Sequence, residues 1–77
     1  MPRLLFYTTA GCHLCEQAAE MLNELRATRA LEIEAIDIAD DSFLFELYGV
    51  RIPVVKSEES GEELGWPFDR EQLASLF

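Results

Sequence analysis

Residues 3–15 read RLLFYTTAGCHLC, and the way this stretch folds constrains everything after it. "RLLFYTT", which follows Pro2, is a short run of apolar, β-branched and aromatic side chains, the composition of a buried strand. "AGCHLC" follows as a turn and holds both cysteines and the only histidine of the chain. From there to Thr28, Leu14, Ala18, Met21, Leu22 and Leu25 recur at the spacing of one helical face, with Glu16, Glu20, Glu24 and Arg26 outside it. The stretch predicts a strand, a tight turn and a helix whose start carries a C-x-x-C pair.

Working outward, "LEIEAIDI" at 31–38 begins in alternation (Leu31, Ile33, Ala35) and slips phase at Ile36. That pattern predicts a strand with one face wetter than the other. Asp40 is placed to cap a short helix running to Tyr48, with Gly49 as its left-handed stop. "RIPVVKS" at 51–57 is strand-like, although Pro53 excludes full pairing at that point. "EESG" at 58–61 is a turn and "EELGW" at 62–66 a last strand. Asp69 has the placement of an N-cap for "REQLASLF", whose Leu73, Leu76 and Phe77 share one helical face. The predicted order is β-α-β-α-β-β-α. A strand–helix–strand opening implies a parallel pair with a right-handed crossover, and the later close pair implies a hairpin. The expectation is an α/β fold in one domain, residues 1–77: a four-stranded mixed sheet with helices on both faces.

Length and charge narrow the function classes. With 77 residues the core will be modest. A hydrophobic fraction of 49% beside 27% charged residues is a globular balance. Fifteen acidic residues against six scattered basic ones leave a formal net charge of −9. Nucleic acid phosphates and anionic membranes both reward clustered Lys and Arg, so neither is an expected partner. A basic protein partner would be attracted instead. The apolar stretches "LLFY" and "FLF" are too short to span a bilayer, and no signal-peptide pattern is visible. A cytoplasmic monomer is expected.

The cysteines allow several chemistries. A closed zinc site normally has four ligands, and Cys12, Cys15 and His13 are the only sulfur and imidazole ligands available. A metal clip would need carboxylates or a second chain, and a shared iron–sulfur cluster falls in the same class. A structural disulfide between positions 12 and 15 would close a very short loop and contribute little to the fold. Two unrelated core thiols are a further reading, but residues three apart on a helix share a face, so both sulfurs point to one place. A working dithiol accounts for more. Cys12 would sit at a helix N-terminus, where unpaired N–H groups and the dipole favour a thiolate. Thiols so placed have pKa values of about 3.5–7.5. Cys12 would be the exposed nucleophile and Cys15, one turn in, the resolving thiol. A C-x-x-C beside a βαβ pattern reads as thioredoxin-like, although the motif alone is only moderately specific.

"TTAGCHLC" at a strand–helix turn and "GVRIPVV" ahead of a terminal hairpin and helix resemble the thioredoxin superfamily, and within it the glutaredoxins. The likeness covers nearly the whole chain. It implies that Pro53 is cis, faces the dithiol and leaves the extended backbone of Ile52 open to a bound peptide or glutathione. Pro53 follows Cys12 by 41 positions, a separation typical of the shorter glutaredoxins. The resemblance departs in places. Glutaredoxins commonly have proline and then an aromatic after the first cysteine, where this chain has His13 and Leu14. A protonated His13 could help hold a thiolate. Their lysine ahead of the dithiol is absent, the positions being Thr8, Thr9, Ala10 and Gly11. Arg51 is the only cation in the motif loops and suits anion recognition. Glu16, four residues after Cys12, would oppose a thiolate. "GWPFDREQL" at 65–73 is similar to the tail of redoxins reduced by thioredoxin reductase. Trp66 and Phe68 are expected to pack and Asp69 to cap.

The resemblance thus implies a thiol–disulfide oxidoreductase that reduces protein disulfides or glutathionylated thiols. Cys12 and Cys15 are its catalytic pair, and Arg51, Ile52, Pro53 and His13 contact the substrate. No bound cofactor or metal is expected; glutathione or a reductase supplies electrons. A non-catalytic binding or adaptor module with the same fold is the alternative reading, and a metal or iron–sulfur carrier a third.

Overall fold

The computed structural model describes residues 2–76. The elements run β1 (Arg3–Thr8), α1 (His13–Thr28), β2 (Glu32–Asp37), a 3-10 turn at Ile38–Asp40, α2 (Ser42–Tyr48), β3 (Val54–Ser57), β4 (Glu63–Gly65) and α3 (Arg70–Ala74). The order and the four-stranded mixed sheet are those expected from the sequence. Strands lie in the order β2-β1-β3-β4, with β1 parallel to β2 and antiparallel to β3, and β3–β4 forming the hairpin.

β1 is central because its side chains are apolar on both faces, as a strand covered on both sides requires. Leu4 and Phe6 join Cys15, Ala18 and Leu22 of α1, Val55 of β3, and Leu73 and Leu76 in one buried cluster. Leu5 and Tyr7 point the other way, to Ile38, Tyr48 and Val54. Helices α1 and α3 therefore cover one face and α2 the other. The phase slip in β2 has the same origin. Ile33 packs on the first cluster and Ile36 on the second, so an unbroken strand serves both faces in turn. Ala35 is exposed, as edge placement of this strand allows.

Several local expectations need correction. Asp41, not Asp40, caps α2: its carboxylate accepts from the backbone N–H groups of Phe43 and Leu44 at 2.9 and 3.3 Å. Asp40 ends the preceding 3-10 turn, which Asp37 caps. Gly49 is right-handed, with φ −51°. It is needed for closeness, since a Cβ there would lie 2.5 Å from the Phe45 carbonyl oxygen. Leu14 is 42% exposed instead of joining the core face. Leu73 and Leu76 are buried as expected; Phe77 lies outside the described residues. Among the described residues, no helix is long and apolar enough to cross a membrane.

Candidate functional site

The chain leaves β1 through Thr9 and turns at Ala10 and Gly11, where φ is +78°. That left-handed geometry suits glycine and delivers Cys12 to the N-cap of α1. Cys12 Sγ accepts a hydrogen bond from the Cys15 backbone N–H at 3.2 Å. The two cysteines are joined by a disulfide, with Cα atoms 5.2 Å apart. Cys12 is half-buried, whereas Cys15, one turn in, is 3% exposed among the first cluster's side chains. The pair is thus asymmetric: one sulfur at a helix tip, the other behind it.

The remaining residues expected at the site divide. Pro53 is buried and its bond to Ile52 is cis. Ile52 packs against both clusters, the first of which also contacts Cys12. The Ile52 N–H is already committed, donating to the Tyr48 carbonyl at 3.0 Å. Of the two backbone polar groups of Ile52, that leaves the carbonyl, in the Ile52–Pro53 peptide, to serve a partner, which narrows the expectation of an open backbone. The Pro53 carbonyl accepts from the Trp66 N–H at 3.1 Å, tying the loop to the end of β4. His13 faces outward with its side chain 83% exposed, its Nδ1 3.6 Å from Glu16 Oε2. Trp66 and Phe68 meet edge to face at 5.2 Å and pack on the core, and Asp69 caps α3.

Arg51 is where sequence reasoning fell short. Its guanidinium lies 3.4 Å from Glu63 Oε1 and 5.3 Å from the centre of the Tyr48 ring. The other oxygen of Glu63 accepts from the Tyr48 hydroxyl, and Tyr48 in turn stacks on Tyr7 at 4.4 Å. Burial, then the hydrogen bond to Glu63 and the Glu63 charge, push the Tyr48 hydroxyl from 10.0 up to about 12. The Arg51 guanidinium, two residues before Pro53, is therefore shared with a carboxylate. Glu63 and Tyr48 carried no motif of their own, and only the fold brings residues 48, 51 and 63 together. The Trp66–Pro67 bond is also cis. Among the described residues, no group of three or more His, Cys, Asp or Glu side chains is arranged to hold a metal ion.

Comparison with known proteins gives a consistent outcome. The family model described as Glutaredoxin-like domain (DUF836) matches residues 3–77. The X-ray structure of a structural-genomics target protein from X. campestris is 42% identical, with a TM-score of 0.77 over 94% of this chain and 91% of that one. The solution structure of a protein from Nitrosomonas europaea is 31% identical, with a TM-score of 0.81 over 96% and 88%. A mutant thioredoxin from Halobacterium salinarum NRC-1, 23% identical over 97% and 70%, has a TM-score of 0.76 and shares the fold. No curated protein matches.

Proposed function

Because the chain belongs to the Glutaredoxin-like domain family (DUF836), we propose that it is a thiol–disulfide oxidoreductase working through Cys12 and Cys15. In the reduced protein the Cys12 thiolate attacks one sulfur of a substrate disulfide. A Cys12–substrate disulfide forms and the first substrate thiolate leaves. The Cys15 thiolate then attacks the Cys12 sulfur, forming the Cys12–Cys15 disulfide and releasing the second substrate thiolate. The substrate gains two electrons and two protons, and the protein dithiol loses them. Glutathione or a reductase restores the dithiol, so no resident metal or organic cofactor takes part.

The observation that carries this reading is the N-cap position of Cys12. There its sulfur already accepts the Cys15 N–H at 3.2 Å. A donor aimed at that sulfur, with the positive end of a 16-residue helix behind it, favours the anion over the thiol. Cys15, shielded from solvent, reaches only the Cys12 sulfur itself, once that sulfur is joined to substrate. Pro53 and the Ile52 carbonyl align an extended substrate backbone, while His13 and Arg51 stand at the border of the site. The setting proposed is a cytoplasmic monomer.

Turnover of a small neutral disulfide, coupled in parallel to glutathione with its reductase and to thioredoxin reductase, tests the reading. Cys12→Ser should abolish turnover with either donor. The fold should survive, because serine is itself a favoured N-cap. Cys15→Ser should accumulate a mixed disulfide visible by mass spectrometry. Full activity in Cys12→Ser would assign the nucleophile elsewhere.

A further inference from the structure

Large exposed hydrophobic side chains are unevenly spread over this molecule. Among the described residues they are Leu14, Phe43, Phe45, Leu47 and Val50. All but the first lie on α2 or the residues just after it, and Leu14 sits between the two cysteines. Phe43 is 67% exposed, Leu47 46% and Val50 100%. At positions i, i+4 and i+7 these three share one side of the helical path, which continues through the right-handed Gly49. Phe45 lies on the opposite flank. The side chains that anchor α2 to the sheet are Tyr48 and Leu44, so the Phe43–Leu47–Val50 stripe is surplus to the core. It ends at Arg51–Pro53, the loop that the proposed mechanism uses.

From the approach to α2 through Val50, the charged residues along the chain are of one sign. From Ala30 to Val50 the chain contains no Lys or Arg. Glu46 is one turn from Phe43 on α2 and four residues before Val50, and Asp40 and Asp41 are exposed just before the stripe. Arg51, the nearest cation in sequence, is paired with Glu63. An apolar strip with an acidic rim complements an apolar surface framed by Lys and Arg. It repels a second copy of a chain with net charge −9, and an anionic membrane surface for the same reason.

We infer that the Phe43–Leu47–Val50 side of α2 is a docking surface for a protein partner with a basic-rimmed apolar patch. That this partner also carries the disulfide rests on the redox reading above; the docking itself does not. Docking there would set a partner beside the Arg51–Pro53 loop, whose Ile52 packs against the same cluster as Cys12. It would also favour cationic proteins over the anionic glutathione as the molecules presented to the dithiol.

The test is direct binding, with no thiol chemistry in the readout. The oxidised protein, residues 1–77, is titrated into a labelled, cysteine-free amphipathic peptide of Leu and Lys, and into the same peptide with Glu at every Lys position. The Lys peptide should bind at least about tenfold tighter, with the difference shrinking as NaCl rises from about 50 to about 300 mM. Phe43→Ser/Leu47→Ser should weaken Lys-peptide binding about tenfold, and Val50→Ser, at a fully exposed position, should act in the same direction. Glu46→Lys should weaken the Lys peptide and strengthen the Glu peptide. Equal binding of the two peptides overturns the inference, as does wild-type affinity in Val50→Ser and the double variant. Self-association abolished by the same substitutions would assign the surface to a second copy and overturn the basic partner. Because no cysteine is exchanged, these outcomes are separate from the Cys12→Ser turnover result.

Discussion

Tyr48 is a residue whose surroundings outrank its chemistry. Its ring is buried against Tyr7, and its hydroxyl donates to a Glu63 oxygen, while Arg51 crosses its face. The phenolate would be desolvated and set against a carboxylate, so the fold favours the neutral phenol and the pKa rises from 10.0 to about 12. A raised pKa in the folded state means that the unfolded chain releases this proton first. The contribution to stability is complete below pH 10.0 and is lost as pH climbs through about 12. Urea unfolding at stepped alkaline pH should therefore show wild type losing more stability over this window than Tyr48→Phe. Parallel curves for the two proteins would contradict the assignment. At this scale the sequence was only partly legible. Cys12, Cys15 and Pro53 announce themselves by type and spacing. Arg51 was visible as the lone cation of the motif loops, but its engagement with Glu63 depends on a hairpin that brings two distant positions together. No local pattern around Glu63 separates it from the chain's many solvated acids.

The short helices depend on their ends. α3 has five residues, too few to persist without tertiary contacts and caps. Asp69 accepts from the Gln72 N–H at 2.8 Å, and the Gln72 side chain accepts from the Asp69 N–H at 2.9 Å, a reciprocal capping box. Asp69→Ala should cost about 1 kcal/mol in denaturant unfolding, and Asp69→Ser should restore most of it. If alanine is neutral, the box contributes nothing and Leu73 and Leu76 hold α3 unaided. This cap was readable because a single acid stands immediately before an apolar-periodic run. At α2 the reading slipped by one residue, since Asp40 and Asp41 are adjacent and equally suited, and the intervening 3-10 turn leaves no periodic trace. Gly49 was legible as the end of a helix but not for its reason, which is a carbonyl oxygen and not a positive φ. β1 was clear from its two-sided apolar composition. The phase slip in β2 was seen, but its cause could be assigned only with helices in place on both faces.

At the scale of the whole molecule, the disulfide ties together residues already held by other means. The described chain has a radius of gyration of 11.6 Å, close to the roughly 11.5 Å expected for a compact chain of this length. Its two clusters close on β1 and β3 from opposite faces, and only the first includes a cysteine side chain. Linking positions 12 and 15 removes little freedom from the unfolded chain. For so short a loop the entropic stabilisation is about 2 kcal/mol, less than half that of a loop of about 100 residues. Reduction should accordingly lower stability by about 2 kcal/mol or less, leaving a cooperative unfolding transition and an unchanged helical spectrum. Urea titrations with and without a phosphine reductant, monitored by circular dichroism, measure the difference directly. The proposed cycle opens and closes this bond and so needs both states folded, which connects the prediction to the proposed mechanism. If reduction instead melted α1 or the whole domain, the bond would be a structural staple, and the proposed dithiol cycle would lose its reduced reactant.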